Sequence, residues 1–127
     1  MKMENYCIFE YFYCDASGYK SWGEIVLHGI LSQSDTSIIE SKFESSEFFI
    51  AEQLEIPTLY RELWKFSDGP TADDHVWHTF HKLRLAEEWE TKQVVFGDLK
   101  DFILKIKSID FWRENLSPHW HPTPQDA

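Results

Sequence analysis

The feature that most constrains the fold is a run of aromatic and β-favouring residues near the start of the chain, YCIFEYFYCD over residues 6–15. Such residues favour extended strands. Both alternating faces of this strand would be mainly apolar or aromatic, which indicates an interior strand with protein packed on each side. The following Asp15-Ala16-Ser17-Gly18 predicts a turn, because glycine readily adopts a positive φ. Residues 19–31 then predict the return strand of an antiparallel hairpin.

Three later segments carry helix signals. Residues 34–46 predict a short helix in which Ser37 and Glu40 form a capping box, although an earlier serine is an alternative start. Residues 57–66 predict a second helix, which begins with proline and has apolar pairs at i, i+4 spacing. Residues 98–107 predict a third helix, because apolar residues recur there at i, i+3, i+4 and i+7.

The remaining segments predict further strands. Residues 47–55 begin as a strand, and residues 93–96 predict a short edge strand. Residues 75–86 alternate strictly in their later part, which favours a strand over a helix. The 127 residues therefore predict a single domain of the α+β class. Its small, mainly antiparallel sheet would have three or four strands with about three helices on one face. Residues 117–127 hold three prolines and predict an extended C-terminal tail.

The charge of the chain restricts its partners. Twelve Lys and Arg residues against 22 Asp and Glu residues give a net charge of −10. This charge repels nucleic acids and anionic membranes and favours a basic protein partner. The alternative interpretation is that acidic charge only keeps an aromatic-rich protein soluble. We find no signal peptide and no apolar run long enough to span a membrane. Cys7 and Cys14 lie too far apart on a strand or helix to pair, and free thiols suit the cytoplasm.

Residues 67–86, which include the fourth predicted strand, gather most of the groups capable of chemistry. Asp73, Asp74, His75 and His78 are residue types that serve in acid–base catalysis and in metal sites. However, no known metal-ligand spacing is present, and the two faces of a strand would divide the set. The alternative is that an aspartate ends a turn and His75 begins a strand. We therefore assign no catalytic residue, metal or cofactor.

The aromatic content suggests a binding surface. Six Trp, five Tyr and ten Phe exceed what one small core requires. Exposed Tyr and Trp ringed by acids make a good protein-binding surface, whereas the alternative is that the rings fill both sides of a thin sheet. The rings predicted to form a patch on an open sheet face are Tyr11, Tyr13, Trp22, Trp77 and Trp89. The candidate partner-binding or pocket residues are Lys20, Trp22, Glu24, Asp73, Asp74, His75, Trp77 and His78.

Three local patterns carry a resemblance. They are Tyr19-Lys20-x-Trp22-Gly23-Glu24, then Phe49-x-Ala51-Glu52-Gln53 with Pro57-x-Leu59-Tyr60, and Asp73-Asp74-His75-x-Trp77-His78. Over residues 6–106 the chain resembles a group of short, uncharacterised bacterial proteins. This resemblance implies a self-standing bacterial cytoplasmic domain and no particular activity. In size, acidity and predicted fold class, the chain is also similar to immunity proteins that neutralise secreted bacterial toxins. That second similarity transfers no residue roles.

These observations lead to three hypotheses. The first is a non-catalytic binding protein, an immunity-type inhibitor that caps a basic partner such as a toxin domain. The second is a small metal-assisted hydrolase that uses the cluster of Asp73, Asp74, His75 and His78. The third is a structural or regulatory domain that dimerises through an edge strand, so both a monomer and a homodimer stay open.

Overall fold

The structure is a computed structural model, and it describes residues 2–15, 18–64 and 75–116. The strands are β1 (Lys2–Cys14), β2 (Lys20–His28), β3 (Phe48–Phe49), β4 (His78–Glu87) and β5 (Val95–Asp98). The α-helices are α1 (Gln33–Lys42), α2 (Ala51–Leu54), α3 (Tyr60–Trp64) and α4 (Leu99–Lys107). Two 3₁₀-helices span Glu88–Lys92 and Glu114–Leu116. No helix among these residues is both long enough and apolar enough to cross a membrane.

The five strands form one mixed sheet in the order β3-β4-β1-β2-β5. The predicted hairpin is present, and β1 is an interior strand that pairs antiparallel with both β2 and β4. The α+β class is therefore confirmed. The sheet is mainly antiparallel, as predicted, but it has five strands rather than three or four, and the fifth strand, β5, runs parallel to β2. The prediction assumed that strands which follow one another along the chain pair with each other and run antiparallel. β5 follows β4 along the chain but pairs with β2 instead.

The main core lies between one face of the sheet and the helices. Every second residue of β1 points into it, and Phe9 is fully buried at its centre. The Phe9 ring lies 5.1 Å from that of Phe102 on α4 and 5.2 Å from that of Phe80 on β4, centroid to centroid. Burying one such side chain contributes about 2–3 kcal/mol. A smaller cluster of Ile8, Val26 and Ala86 occupies part of the opposite face.

α1 begins earlier and ends earlier than predicted. The side chain of Asp35 accepts a hydrogen bond from the backbone N–H of Ser32 at 2.8 Å, so the capping pair lies five residues earlier than Ser37 and Glu40. The helix ends at Lys42 because the backbone of Phe43 is extended, with φ of −80° and ψ of 145°, and Ser45 and Ser46 follow with φ values of 53° and 67°. That left-handed conformation cannot continue a right-handed helix.

β4 confirms the strand interpretation for residues 78–86, but residues 75–77 precede the strand and the predicted strict alternation is wrong. Glu10 is paired with Lys82 whereas Tyr11 is paired with Phe80, so His81 is an extra residue in the ladder. Such a bulge changes the face on which later side chains lie. Phe80 and Leu83 consequently both belong to the helix-side core.

The other segments differ from prediction mainly at their boundaries. Residues 47–55 divide into β3 and α2, and the helix predicted to begin at Pro57 begins at Tyr60 as α3. The edge strand predicted at residues 93–96 lies slightly later, as β5. The helix predicted at residues 98–107 is present as α4, with Asp98 at its N-cap. The tail predicted at residues 117–127 lies outside the described residues.

Candidate functional site

The structure places the predicted site residues in two separate regions. Lys20, Trp22 and Glu24 lie on β2, where Trp22 and Glu24 point to the sheet face opposite the helices. His75, Trp77 and His78 lie at and just before the start of β4, beside the short strand β3. Asp73 and Asp74 fall outside the described residues.

An exposed aromatic residue marks the first region. Trp22 is 54% exposed, and its ring centroid lies 4.6 Å from that of Phe12 on β1. The ammonium of Lys20 lies 4.8 Å from the centroid of Phe12, and the imidazole of His81 packs edge-on against Trp22 at 5.1 Å. The exposed rings on this face are therefore flanked by cationic or titratable groups.

Three acids of this sheet face share one arginine. Arg84 forms a bidentate pair with Glu90, with both N···O distances at 2.7 Å, and it also donates a hydrogen bond to Glu10. Glu24 lies 3.5 Å from the same guanidinium. The hydrogen bonds from Arg84 hold the pKa of Glu90 below its usual range, and the pKa of Arg84 is raised in return. Because Glu10, Glu24 and Glu90 already pair with Arg84, these carboxylates are less available to a basic partner than carboxylates outside an ion pair.

Two tyrosines predicted for an exposed patch are buried instead. Tyr11 and Tyr13 are 1% and 0% exposed, because the alternation of β1 points them towards the helices. The Tyr11 hydroxyl donates to the carbonyl oxygen of Pro57 at 2.6 Å, and burial raises the pKa of Tyr11. The predicted five-ring patch is therefore wrong.

His75 and His78 both hold neighbouring backbone in place. The backbone N–H of Trp77 donates to Nδ1 of His75 at 3.0 Å, so the proton of a neutral His75 is on Nε2, which donates to the carbonyl oxygen of Cys14 at 2.6 Å. His78 is fully buried, and its Nε2 accepts from the backbone N–H of Leu59 at 3.0 Å. Across the described ranges, no three His, Cys, Asp or Glu side chains form a group that could hold a metal ion.

Trp77 belongs to a groove that we call the acidic–aromatic groove. It consists of two adjoining depressions of about 630 Å³ and 350 Å³ that share Glu44 and Trp77. The aromatic and acidic residues that line it are Glu44, Phe48, His75, Trp77, Asp110, Phe111, Trp112 and Glu114.

One wall of the groove is the irregular segment after α4, and side-chain hydrogen bonds fix it. Lys42 at the end of α1 donates from Nζ to the carbonyl oxygen of Ile109 at 3.1 Å. The indole Nε1 of Trp112 donates back to the carbonyl oxygen of Lys42 at 3.1 Å. On α2, the side chain of Gln53 donates to the carbonyl oxygen of Phe111 at 2.9 Å and accepts from the N–H of Arg113 at 2.8 Å. The wall is thus tied to two helices.

The rings of the groove range from half-buried to exposed. Trp112 packs against the core residue Phe43, with a centroid distance of 5.6 Å, and its ring lies 6.5 Å from that of Trp77. Phe111 is 62% exposed, and the guanidinium of Arg113 lies 5.0 Å from its ring centroid. Half-buried indoles beside an exposed phenyl ring provide apolar contact area without rearrangement of the core.

The carboxylates of the groove carry uncompensated charge. Glu44, Asp110 and Glu114 are all exposed. Within the part of the chain that the structure describes, no ion pair involves any of them. Lys42, the cation that lines the groove, directs its ammonium to a backbone carbonyl. Negative charge beside aromatic faces is the environment that a Lys or Arg side chain prefers.

The sequence interpretation found Trp77 and missed the opposite wall. The signal that was present is local: in DFWRE, over residues 110–114, two acids flank two rings and an arginine. This stretch forms a groove only together with Glu44 and Trp77, which are distant in sequence.

No protein-family model, curated protein or solved structure matches the chain.

Proposed function

We propose that this chain is a small acidic binding protein of the immunity type, which caps a basic partner protein such as a toxin domain. We further propose that the acidic–aromatic groove is its partner-binding surface. The observation that carries this proposal is the combination of three unpaired carboxylates, Glu44, Asp110 and Glu114, with the rings of Trp77, Phe111 and Trp112 in one concave surface.

The chemistry of the groove defines the partner. A lysine or arginine side chain placed over Trp77 or Trp112 would gain a cation–π contact worth about 1–2 kcal/mol when water is displaced. The neighbouring carboxylates would pair with its charge, and Phe111 would contact its alkyl chain or an adjacent apolar residue. The net charge of −10 adds long-range attraction, which speeds the encounter with a basic protein at low ionic strength.

The proposed setting is the bacterial cytoplasm. Cys7 and Cys14 are both free thiols, as expected for a reducing compartment. Nucleic acids and anionic membranes would be repelled by the same negative charge that attracts a basic protein.

Capture from native cells tests this proposal. The tagged wild-type protein is expected to recover a basic protein whose toxic or enzymatic activity falls stoichiometrically as the bait is added. Phe111→Ser should weaken capture, because Phe111 is exposed and contributes contact area rather than core packing. Tyr19→Ser, at a similarly exposed ring in the β1–β2 turn, is the matched control. If no basic protein is recovered at low salt, or the two variants weaken capture equally, the proposal fails.

The alternative function, a metal-assisted hydrolase, has a direct test of its own. It uses Asp73, Asp74, His75 and His78. One measurement is elemental analysis of protein purified without chelators, and a stoichiometric metal would support the hydrolase. The other is thermal melting in the presence of zinc, manganese or nickel, where a raised melting temperature would support it. The binding-protein proposal expects neither.

A further inference from the structure

We infer that the chain forms a homodimer through β5, with the β5 strands of two copies paired antiparallel about a two-fold axis. β5 is the outer strand of the sheet and pairs on its inner side with β2. Among the described strands, none pairs with its other side. An edge of this kind presents backbone N–H and C=O groups that a further strand can use.

The side chains of this edge are unusually apolar for a free surface. Val94 is 90% exposed, and Val95 and Phe96 are 38% and 43% exposed. The opposite edge of the sheet is protected: β3 has only two residues, and the segment before it contains Glu44, Glu47 and two serines in the left-handed conformation. Short strands, charges and irregular backbone are the usual devices that prevent pairing at an edge. The apolar β5 edge has fewer of these protective features.

The sequence of the β5 edge is complementary to itself. Lys92 and Asp98 carry opposite charges and lie at equal distances in sequence from Val95. In an antiparallel pair centred on Val95, residues 93–97 of the two copies face each other, since the backbone is extended from Gln93 onwards, with φ of −74° and ψ of 166°. Val94 then faces Phe96 of the partner subunit, and Lys92, which ends the preceding 3₁₀-helix, lies beside Asp98 of the partner subunit. A two-fold axis makes both halves of such an interface equivalent. Asp98 is 59% exposed at its side chain, with only His28 nearby at 3.5 Å, so its carboxylate is accessible.

A second copy fits this edge better than a basic partner does. The segment 92–98 has one cation and one anion and is therefore locally neutral, whereas the groove brings together the carboxylates of Glu44, Asp110 and Glu114. Because the whole chain carries −10, two copies repel each other at long range. Salt screens that repulsion, so dimerisation should strengthen with ionic strength while binding of a basic partner weakens. A single edge also buries a small area, so the expected dimer is weak.

Sedimentation velocity over low micromolar to millimolar concentration tests this inference. The wild-type protein should shift from monomer to dimer as concentration rises, and the shift should be larger in high salt. Val94→Lys should abolish the shift, while Leu104→Lys, the same charge change at an exposed residue of α4, should not. A monomer under all conditions, or equal behaviour of the two variants, would overturn the inference.

A mixing experiment tests the register. Lys92→Asp alone and Asp98→Lys alone each place like charges opposite one another, so each variant should dimerise less than the wild type. Mixed together, they restore both opposite-charge pairs and should form heterodimers. Asp98 makes no side-chain capping hydrogen bond to α4, so its replacement should leave the helix start in place. Heterodimers no more abundant than either homodimer would contradict antiparallel pairing centred on Val95.

Discussion

The indole Nε1 of Trp112 donates a hydrogen bond to the carbonyl oxygen of Lys42 at 3.1 Å. This contact joins the segment after α4 to the end of α1, two parts of the chain separated by 70 residues. It satisfies a C-terminal carbonyl of α1 that has no partner within the helix. It also holds the Trp112 ring near Trp77, so one hydrogen bond contributes both to helix termination and to the shape of the acidic–aromatic groove.

The second attachment of this wall, Gln53, gives a stability prediction. Gln53→Ala removes the side-chain amide that donates to the carbonyl oxygen of Phe111 and accepts from the backbone N–H of Arg113. Because both bonds are exposed, water can replace them, and the free energy of unfolding should fall by only about 1 kcal/mol. Amide hydrogen exchange should increase in residues 109–116 and stay unchanged in β1. Unchanged exchange throughout residues 109–116 would show that Gln53 does not fix the wall.

Arg84 gives a prediction with a defined dependence on pH. Arg84→Gln leaves Glu90, which is 1% exposed, without its bidentate partner, and should lower the free energy of unfolding by about 2 kcal/mol near neutral pH. Because the folded-state pKa of Glu90 lies below its ordinary value of 4.5, the stabilisation is present above that pH and is lost as acid protonates Glu90.

Urea denaturation of wild type and variant at neutral and acidic pH checks this prediction. The stability difference between the two proteins should narrow as the pH falls below 4.5. Lys105→Gln, which removes the exposed pair with Glu55, is the control and should change stability little at either pH. A difference that widens in acid would mean that the Arg84–Glu90 pair does not stabilise the fold.

The two thiols should differ in reactivity. Cys7 is fully buried in the core, and burial raises its pKa to about 12, so it stays protonated and inaccessible in the folded protein. A thiol reagent at mildly alkaline pH should therefore leave Cys7 unmodified in the native protein and modify it after denaturation. In the Cys14→Ser variant Cys7 is the one remaining thiol, so any labelling reports Cys7 alone. Rapid labelling of this variant in its folded state would contradict the burial of Cys7 on β1.

His78 should act as a structural residue. His78→Leu keeps an apolar side chain among the surrounding rings but removes the acceptor for the N–H of Leu59. The expected loss is about 1–3 kcal/mol in the free energy of unfolding, the cost of leaving a buried donor unpaired. Chemical denaturation measures it, and His81→Leu, at an exposed position of the same strand, is the comparison. An equal, small effect of both changes would argue against a structural role for His78.

The parts of the fold that sequence alone predicted are those fixed by local pattern. The β1–β2 hairpin follows from two long alternating segments joined by a turn at Gly18, whose φ is 88°. α4 follows from its apolar stripe and Asp98. The bulge at His81 and the parallel pairing of β5 depend on how distant strands match each other, and local periodicity carries no signal for either.

The sequence also predicted only part of the candidate site. Trp77 was identified as a candidate, and it does lie in a groove. Its neighbours Glu44 and Trp112 were not, because they come together only when the segment after α4 packs on α1. Lys20, Trp22 and Glu24 occupy the other region, where three acids already pair with Arg84.

The most direct measurement of the central claim is a calorimetric titration of the captured basic partner against two variants of identical net charge. Glu44→Lys with Asp110→Lys changes the groove, and Glu88→Lys with Asp101→Lys changes two exposed acids elsewhere. If the groove is the binding surface, the first variant should lose about 100-fold or more in affinity, since charge pairs at such interfaces are worth about 1.5 kcal/mol or more each. The second variant should lose only a few-fold in affinity, because it weakens only the long-range attraction between the two proteins. Equal losses for the two variants would show that bulk charge alone attracts the partner and would contradict the assignment of the groove.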